Sequence, residues 1–548
     1  MSEMSLPLVG SGEEAMATPR PMEEGEPLVS QTASSYAYEL QCGEEDTKHW
    51  RHIWSQTNGL ARVPPILKEG QPLTVPQCLD NAAQSFGDMQ CMGTRQVLRV
   101  DRSQKSRSGK TLTYWEKTDE YEWQTYSEVY EQVQAAARGL VSLPGVKDAM
   151  RAKKAAGSEY IVALLAETSA EWQISAQAAF ACGMTITTVY ATLGHDAMLH
   201  GLNQTESEII FVEYDLYESL KDTVIAKVPS IKHVVFIGKA LVAQDAFPAT
   251  NALGGNHSLD SLADLGTQAG ASEDLMLLRP KEDDLALIMY TSGSTGVPKG
   301  VELTHANFVS VIASSIAQGV VKPTPEDTIV AYLPLAHILE LMCEVACIMQ
   351  GAKIAYASPR TLTPASAFNG PGAVTDLAAC KPTLMAAVPA ILEIIRSGLV
   401  NKVTSMGGFK AKLIFSAIAR AQNRLYDGEE GYEHQEPQSC CCSCLDGKLI
   451  GKLKAAFGLE RCRILISGGA PLSAETQRFC TAVFCPVAQG YGATETTGCA
   501  SVQEVVSSDA RVVDRSVGRV GERHMLCLAA FRAIMSRTCQ HLCDTIII

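Results

Sequence analysis

Residues Tyr290 to Gly300 read YTSGSTGVPKG, and the apolar run Leu285 to Met289 leads directly into them. An apolar run that ends in glycines is typical of a buried strand followed by a turn. Glycines let backbone N–H groups approach phosphate oxygens closely, and Lys299 adds a compact positive charge. The Walker A pattern is not met, because Gly300 follows Lys299 where that pattern has a hydroxyl residue. The stretch predicts a strand and a phosphate-binding loop; a simple polar turn is the alternative.

Apolar runs of strand length recur on both sides of this stretch, with helical patterns between them. They are IVALLA at 161–166, TITTVY at 185–190, IIFVEY at 209–214, HVVFIG at 233–238 and, after residue 284, LALIMY, AKIAYA, PTLMAAV and CRILIS. Strands that alternate with helices imply parallel sheets covered on both faces. We therefore expect an α/β fold of two sheet-and-helix halves, with a smaller β-rich part near residues 450–520.

The length and composition fit a globular protein of several domains, or of one large domain with a satellite. The chain has 548 residues, of which 46% are hydrophobic and 19% charged. A net charge of −14 argues against general attraction to nucleic acid. We find neither a signal peptide nor an apolar segment of about 18 residues that would span a membrane. The 18 cysteines are therefore expected to be reduced thiols rather than a disulfide framework.

Two segments stand apart from the α/β pattern. Residues 1–47 are acidic and without periodicity, which predicts a disordered leader. Residues 427–447 interrupt the pattern with His434 and the cluster Cys440, Cys441, Cys442 and Cys444. The cluster lacks the CxxC spacing that suits a tetrahedral ion, so a reduced surface insertion is expected, with zinc binding or S-acylation as alternatives.

Three further motifs carry groups that suit a nucleotide or its metal. QGYGATETTG, from Gln489 to Gly498, offers the flat ring of Tyr491, the hydroxyl of Thr494 and the carboxylate of Glu495, which suits Mg²⁺. A glycine-rich turn with an exposed glutamate is its alternative. ISGGAPLS at 466–473 leaves a strand through two glycines that would admit a ligand. YLPLAHIL at 332–339 places His337 beyond a proline turn, where a packed core histidine is the alternative.

Taken in this order, the four motifs resemble the acyl-adenylate-forming superfamily of acyl-CoA synthetases, luciferases and peptide-synthetase adenylation domains. The finer resemblance is to long-chain fatty acyl-CoA synthetases. It is carried by YEWQTYSEVYEQVQAAARGL at 121–140, AEWQ at 170–173, YATLG at 190–194, YLPLAHILE and SGGAPLSAETQRF. The similarity runs from about Asp46 to Gly521, which implies that residues 48–521 form the large adenylate-forming N-terminal domain.

The resemblance implies a role for each matching position. The first motif would hold the ATP phosphates through Thr291, Ser292, Gly293, Ser294, Thr295, Gly296 and Lys299. The adenine pocket would be formed by Gly468, Gly469, Ala470, Gln489, Gly490 and Tyr491, with the Tyr491 ring stacked on the base. Thr494 would contact the α-phosphate, and Gly492 and Glu495 complete the cofactor-binding residues. Thr291 and Glu495 would bind Mg²⁺. The catalytic residues would be Lys299, which neutralises the leaving pyrophosphate, His337, which lies near the fatty carboxylate, and Glu495.

The implied function is the ATP-dependent activation of a long-chain fatty acid to an acyl-adenylate and its transfer to coenzyme A. The products would be acyl-CoA, AMP and pyrophosphate, with Mg²⁺ as the metal. No protein nucleophile is needed for this chemistry, and no GxSxG elbow is present. We further expect peripheral association with the cytoplasmic side of the endoplasmic reticulum or another lipid-handling membrane, and no nucleic-acid partner.

The resemblance stops after SVGRVG at 516–521. Residues 522–548 do not resemble the mobile C-terminal subdomain that carries the adenylation lysine in this family, so they are expected to form an unrelated tail and to leave turnover incomplete. Two alternatives follow. One is a catalytically dead nucleotide- and lipid-binding truncation, and the other is an adenylate-forming enzyme with a different acceptor.

Overall fold

The computed structural model describes residues 74–103, 105, 111, 113–190, 194–238, 256–270, 278–291, 298–318, 321–426 and 440–503, with the strand residues 37–40, 49–52, 505–506, 511–512 and 524–526. The strands are β1 Ala37–Leu40, β2 His49–His52, β3 Gln90–Thr94, β4 Val97–Asp101, β5 Tyr114–Lys117, β6 Glu122–Thr125, β7 Ile161–Leu165, β8 Thr185–Thr188, β9 Ile209–Glu213, β10 His233–Ile237, β11 Asn256–Ser258, β12 Leu285–Thr291, β13 Lys299–Thr304, β14 Thr328–Ala331, β15 Lys353–Tyr356, β16 Leu384–Ala387, β17 Ile464–Ser467, β18 Val487–Tyr491, β19 Ser501–Gln503, β20 Val505–Val506, β21 Arg511–Val512 and β22 His524–Leu526.

Helices alternate with these strands over most of the described chain. They are α1 Val75–Phe86, α2 Tyr126–Ser142, α3 Val146–Ala155, α4 Ala170–Ala181, α5 His195–Thr205, α6 Tyr214–Leu220, α7 Leu259–Ala269, α8 His305–Gln318, α9 Ile338–Met349, α10 Asp376–Cys380, α11 Pro389–Met406, α12 Gly408–Tyr426, α13 Cys440–Ala456 and α14 Ala474–Val483. The predicted α/β class is confirmed.

Local sequence explains where several helices begin. Thr125 caps α2, because its hydroxyl accepts the N–H of Glu128 at 3.2 Å while the Glu128 carboxylate accepts the N–H of Thr125 at 2.7 Å. The hydroxyl of Ser169 accepts the N–H of Trp172 at 3.1 Å and so caps α4. Pro389 opens α11, at a position where its missing N–H costs no helical hydrogen bond.

The first half of the molecule is a seven-stranded sheet with the order β11-β10-β9-β7-β8-β12-β13. Neighbouring strands are parallel except β13, which is antiparallel to β12. Side chains alternate between the two faces of a strand. Val162 and Leu164 of β7 accordingly join one apolar cluster, and Ala163 and Leu165 join another beneath α5 and α6. Burial on both faces explains why these strands are continuous apolar runs.

The second half is a nine-stranded sheet with the order β22-β19-β18-β17-β16-β14-β15-β3-β6. Its centre is parallel, and β6, β19 and β22 run antiparallel at the two ends. The smaller β-rich part expected near residues 450–520 is placed differently, since β17, β18 and β19 extend this sheet. They do so because α13 and α14 continue the same strand–helix alternation and cover it.

Two threonines, one shortly after β7 and one at the end of β8, fix the loop that follows β14. The Thr168 hydroxyl donates to the carbonyl of Leu333 at 2.5 Å and accepts the N–H of Leu335 at 2.9 Å. The Thr188 hydroxyl donates to the carbonyl of Ala336 at 3.2 Å. The two halves are thereby joined at the residues immediately before His337.

The structure describes only parts of the predicted leader 1–47, the insertion 427–447 and the tail 522–548. β1 falls inside the predicted leader and pairs with β2, while the rest of residues 1–47 lies outside the described residues. In the insertion 427–447, α13 begins at Cys440, and residues 427–439 lie outside. In the tail 522–548, β22 pairs with β19. Among the described helices, none combines the length and apolar character needed to cross a bilayer.

Candidate functional site

The predicted phosphate loop starts and ends on a β-hairpin. Thr291, the last residue of β12, is the cross-strand partner of Lys299, the first residue of β13. Thr291 is half-buried and Lys299 is exposed. A Cβ on Gly300 would lie 2.9 Å from Cγ2 of Ile288, so a larger residue would be crowded there. The remaining predicted loop residues lie outside the described residues: Ser292, Gly293, Ser294, Thr295 and Gly296.

A second loop follows β18 and depends on two glycines. A Cβ on Gly492 would lie 2.3 Å from the carbonyl oxygen of Gly498, closer than atoms can approach. Gly498 itself has φ +86°, a conformation that side chains with a Cβ disfavour. Tyr491 ends β18 with 60% of its surface exposed, so its ring is open to a stacking partner.

The 3₁₀ turn Thr494–Thr496 lies against β13. Glu495 is half-buried in this turn and makes no hydrogen bond to another described residue. The strand that begins at Lys299 and the turn that carries Glu495 are therefore neighbours in the fold, although they are far apart in the sequence. A cation and a free carboxylate beside a glycine-rich loop suit a metal-bound polyphosphate.

His337 stands at the N-terminus of α9, on the loop that the threonines hold. Its N–H donates to the carbonyl of Pro334 at 3.0 Å, and its ring centroid lies 4.7 Å from that of Tyr190. The side chain is partly exposed rather than packed in the core. Its partial removal from water lowers the pKa of the imidazole below the ordinary value. The imidazole is therefore neutral at physiological pH and is able to donate one hydrogen bond without carrying charge.

Glycines bring the loop after β17 close to the end of β18 and to the start of α9. A Cβ on Gly468 would lie 3.6 Å from the carbonyl oxygen of Gly490 and 3.7 Å from Cδ2 of Leu339. A Cβ on Gly498 would lie 3.2 Å from Cγ2 of Ile338, the residue after His337. Gly469 has φ +82°, and both it and Ala470 are exposed. The structure thus brings together the three motifs around residues 337, 468 and 490.

Gln489 differs from the expectation for the adenine pocket. Its side chain is buried: Oε1 accepts the N–H of Leu472 at 3.1 Å, and Nε2 donates to Oε1 of Gln477 at 2.7 Å. The Gln489 N–H donates to Oε1 of Gln503 at 3.0 Å. Because its amide is already hydrogen-bonded inside the sheet, Gln489 offers a nucleotide no free side-chain group and acts as support for the loop.

Sequence reasoning missed two buried carboxyl groups in α9, which we call the glutamate pair: Glu340 and Glu344. Oε1 of Glu340 accepts the N–H of Tyr332 at 3.1 Å, and Oε2 of Glu344 accepts the hydroxyl hydrogen of Tyr356 at 2.8 Å. Burial raises the pKa of Glu344 to about 8 and that of Glu340 well above its usual range. Two carboxylates four residues apart on an otherwise apolar helix were the available signal.

Known proteins resemble this chain over most of its length. The chain is 32% identical over 495 residues to long chain acyl-CoA synthetase 8 of Arabidopsis thaliana, covering 88% of this chain and 62% of that protein. It is 33% identical over 447 residues to long-chain-fatty-acid–CoA ligase 2 of Schizosaccharomyces pombe, covering 77% of this chain and 58% of that protein. The chain thus spans less than two thirds of the length of either relative.

Solved structures share the fold at lower identity. The A domain of a carboxylic acid reductase from Segniliparus rugosus, in complex with AMP and a co-purified carboxylic acid, matches 82% of this chain and 65% of its own, with a TM-score of 0.56 and 18% identity. The adenylation domain of a carboxylate reductase from Mycobacterium chelonae matches 81% of this chain and 61% of its own, with a TM-score of 0.54 and 19% identity. These likenesses concern the fold alone.

The comparisons agree with the motifs on which the resemblance was based. The profile of the AMP-binding enzyme family matches residues 100–527, which include the whole seven-stranded sheet, the nine-stranded sheet except β3, and all four motifs. The relatives are long-chain acyl-CoA synthetases and ligases, as the strings around residues 121–140 and 332–340 indicated. The chain therefore belongs to the family of AMP-binding enzymes.

Proposed function

We propose that this chain activates a long-chain fatty acid with ATP and passes the acyl group to coenzyme A. The observation that carries the proposal is the contact between β13 and the Thr494–Thr496 turn, which sets the strand of Lys299 beside Glu495. His337 stands nearby through the contact of Ile338 with Gly498. The names of the relatives supply the substrate class, since both are long-chain fatty acid ligases or synthetases.

The nucleotide would occupy the three glycine-containing loops. Tyr491 has an exposed ring on which adenine would stack, and the backbone of Gly468, Gly469 and Gly490 would border the pocket. The hydroxyl of Thr494 would bind the α-phosphate. Lys299 would bind the leaving phosphates, where a charged hydrogen bond contributes about 1.5–3 kcal/mol.

The donor set fits Mg²⁺. Glu495 brings a carboxylate that makes no hydrogen bond to another described residue, and Thr291 brings a hydroxyl from the adjoining hairpin. Hard oxygen donors of this kind suit Mg²⁺, which keeps several waters and binds substrate phosphates as well. No group of three or more His, Cys, Asp or Glu side chains gathers in the described part of the chain, which agrees with a metal held mainly by its substrate. When bound, the ion would neutralise charge on the phosphates.

The first chemical step needs position and charge stabilisation rather than a protein nucleophile. A carboxylate oxygen of the fatty acid attacks the α-phosphorus of ATP, a P–O bond forms, and the P–O bond to pyrophosphate breaks. The neutral imidazole of His337 would donate a hydrogen bond to the reacting oxygens, and its position at the N-terminus of α9 adds the positive end of the helix dipole. The contacts of Thr168 and Thr188 fix the loop before α9, so the imidazole of His337 and the N-terminus of the helix are in position before the substrates bind.

The second step transfers the acyl group. The sulfur of coenzyme A attacks the acyl carbon of the adenylate, the C–O bond to phosphate breaks, AMP leaves, and the thiol proton is released. The mixed anhydride supplies the driving force, so the protein's task is to hold the adenylate away from water. The buried side chains of Gln477 and Gln503 accept hydrogen bonds from Gln489, and so hold β18 and the loop that follows it in place.

We also infer peripheral attachment to the cytoplasmic side of the endoplasmic reticulum or another lipid-handling membrane. A long-chain fatty acid partitions into bilayers, so an enzyme at the bilayer surface meets its substrate at the highest local concentration.

Pyrophosphate release from ATP and palmitate, with and without coenzyme A, tests the proposal. Release that requires palmitate, together with acyl-CoA formation when coenzyme A is added, supports it. Nucleotide binding without any release would identify a catalytically dead binding protein. Release without acyl-CoA would point to a different acceptor. Lys281→Ala, which removes an exposed lysine before β12, at the end of the hairpin opposite Lys299, is the matched control for Lys299→Ala.

A further inference from the structure

Exposed large apolar side chains are concentrated in three consecutive helices, α11 to α13. Among the described residues nine such side chains are more than a third exposed, and five of them lie in these helices: Ile394, Met406, Phe409, Phe415 and Leu445. Phe409 is the most exposed of the nine, at 78%. Single exposed apolar residues are ordinary, but a local concentration indicates a contact surface.

Two of these side chains flank a sharp turn at the end of the helical pair. Met406 is the last residue of α11, and Phe409 is the second residue of α12. Between them Gly407 and Gly408 have φ +61° and +55°, which reverses the chain. A Cβ on either glycine would meet no atom within 4 Å, so the turn projects into solvent. We call residues 402–412 the α11–α12 tip.

The tip is basic although the protein is acidic. From residue 394 to residue 426 the sequence holds Arg396, Lys402, Lys410, Lys412, Arg420 and Arg424 and no aspartate or glutamate, in a chain of net charge −14. The three arginines are paired, Arg396 with Glu475, and Arg420 and Arg424 with Asp446. The three lysines of the tip are exposed and form no ion pair with another described residue.

The core holds the tip in this conformation. Leu399 and Val403 of α11 and Ala411 and Ile414 of α12 are buried in the main apolar cluster. The exposed and buried residues therefore lie on opposite faces of the same two helices. Docking through the exposed face would not require the helices to rearrange.

We propose that the α11–α12 tip docks on an anionic lipid surface, with Met406 and Phe409 entering the boundary between headgroups and acyl chains. The three lysines would then lie at the level of the lipid phosphates. Apolar side chains at the outermost point with cations around them are the pattern of interfacial insertion. The turn at Gly407 and Gly408 has open space around it and carries exposed apolar side chains, which suits insertion into a bilayer, and the charge of the tip complements anionic lipid. The proposal deepens the membrane attachment inferred above by naming the surface and the lipid class.

Sedimentation with vesicles of equal parts phosphatidylcholine and phosphatidylserine tests the tip directly. We expect the chain to bind these vesicles and to bind pure phosphatidylcholine vesicles far more weakly. Each lysine near the surface contributes about fivefold in affinity, so changing Lys402, Lys410 and Lys412 to Ala should weaken binding about hundredfold. Phe409→Ser should weaken binding about tenfold or more, and Phe409→Leu should restore most of it. Added salt should weaken binding of the unaltered chain.

A matched triple variant controls for the loss of charge. Lys154, Lys227 and Lys281 are exposed elsewhere, and their change to Ala should leave vesicle binding unchanged. Equal losses in the two triple variants, no loss in either tip variant, or no binding by the unaltered chain would overturn the proposal. So would self-association that Phe409→Ser abolishes, since it would assign the tip to an interface between copies. Pyrophosphate release, measured without vesicles on the same proteins, reports on the proposed function separately.

Discussion

Glu340 and Glu344 lie one helical turn apart on the buried face of α9, and each has one carboxyl oxygen without a hydrogen-bond partner among the described residues. Both side chains are fully buried. Two carboxyl groups so placed cannot both be ionised without a large electrostatic cost, so protons are retained in the folded state. The pair supports the loop before His337, because Glu340 binds the N–H of Tyr332 at its start.

The glutamate pair makes the stability of the protein depend on pH. Burial raises the pKa of Glu344 from 4.5 to about 8, so the folded state keeps a proton that the unfolded chain has lost. The free energy of unfolding should therefore be highest below the unfolded pKa and fall as pH rises towards 8. Glu344→Gln should remove this contribution and be more stable than the unaltered chain at high pH, by on the order of a few kcal/mol.

Urea unfolding of both proteins across this pH range measures the effect. Gln keeps an oxygen that accepts the hydroxyl hydrogen of Tyr356, so the packing is retained. Glu326→Gln, at an exposed site, is the control and should follow the unaltered chain. Parallel stability curves for Glu344→Gln and the unaltered chain would contradict the assignment of raised pKa values to this pair.

Lys299 should contribute to the affinity for ATP. Lys299→Ala removes one charge-assisted contact of about 1.5–3 kcal/mol, so the dissociation constant of ATP in the presence of Mg²⁺ should rise about tenfold or more. Calorimetric titration measures it, with Lys281→Ala as the control. Equal affinities in the two variants would remove Lys299 from the phosphate site.

Glu495 should set the requirement for Mg²⁺. Glu495→Gln keeps the size of the side chain and loses the anion, so the Mg²⁺ titration of ATP binding should move to higher concentration. Glu326→Gln removes an exposed carboxylate elsewhere and should leave the titration in place. If the titrations of all three proteins coincide, Glu495 has another role.

Gly492 should be essential to the shape of the loop after β18. In Gly492→Ala the new Cβ would fall 2.3 Å from the carbonyl oxygen of Gly498, so the loop must move and nucleotide affinity should drop. Gly451 offers the contrast, because it lies inside α13 with open space around it. Gly451→Ala should stabilise the protein by about 0.5–1 kcal/mol and leave affinity unchanged. Affinity retained by Gly492→Ala would show that this loop does not contact the nucleotide.

The sequence was informative where a residue's chemistry depends on its neighbours in the chain. The apolar runs predict the buried strands because a strand covered on both faces must be apolar throughout. The glycine motifs predict loops whose backbone admits a ligand, and this stays a prediction; the structure shows that a Cβ on Gly492 would collide with the carbonyl oxygen of Gly498. The position of His337 was predicted within its motif, but its exposure and its contact with Tyr190 depend on the first sheet and could not be inferred from the motif.

Contacts between distant segments could not be predicted from local pattern. Gln489 resembles a pocket residue in its motif, yet its amide binds Gln477 and Leu472, which only the packing of α14 against β18 determines. The strands after residue 464 looked like a separate β-rich part, because nothing local shows which sheet a short strand will join. The α11–α12 tip was missed for the same reason, since exposure is a property of the folded surface.

The strand order of the two sheets also has a consequence for how the chain is made. The seven-stranded sheet uses one continuous stretch, from Ile161 to Thr304, so all its strands leave the ribosome in succession. In the nine-stranded sheet β3 pairs with β6, which follows it closely in the chain, and this pair joins the rest of the sheet only when β15, Lys353–Tyr356, has been made. Synthesis therefore favours completing the first sheet before the second, and the early strands β3 and β6 are the ones that are exposed to misassociation in the interval.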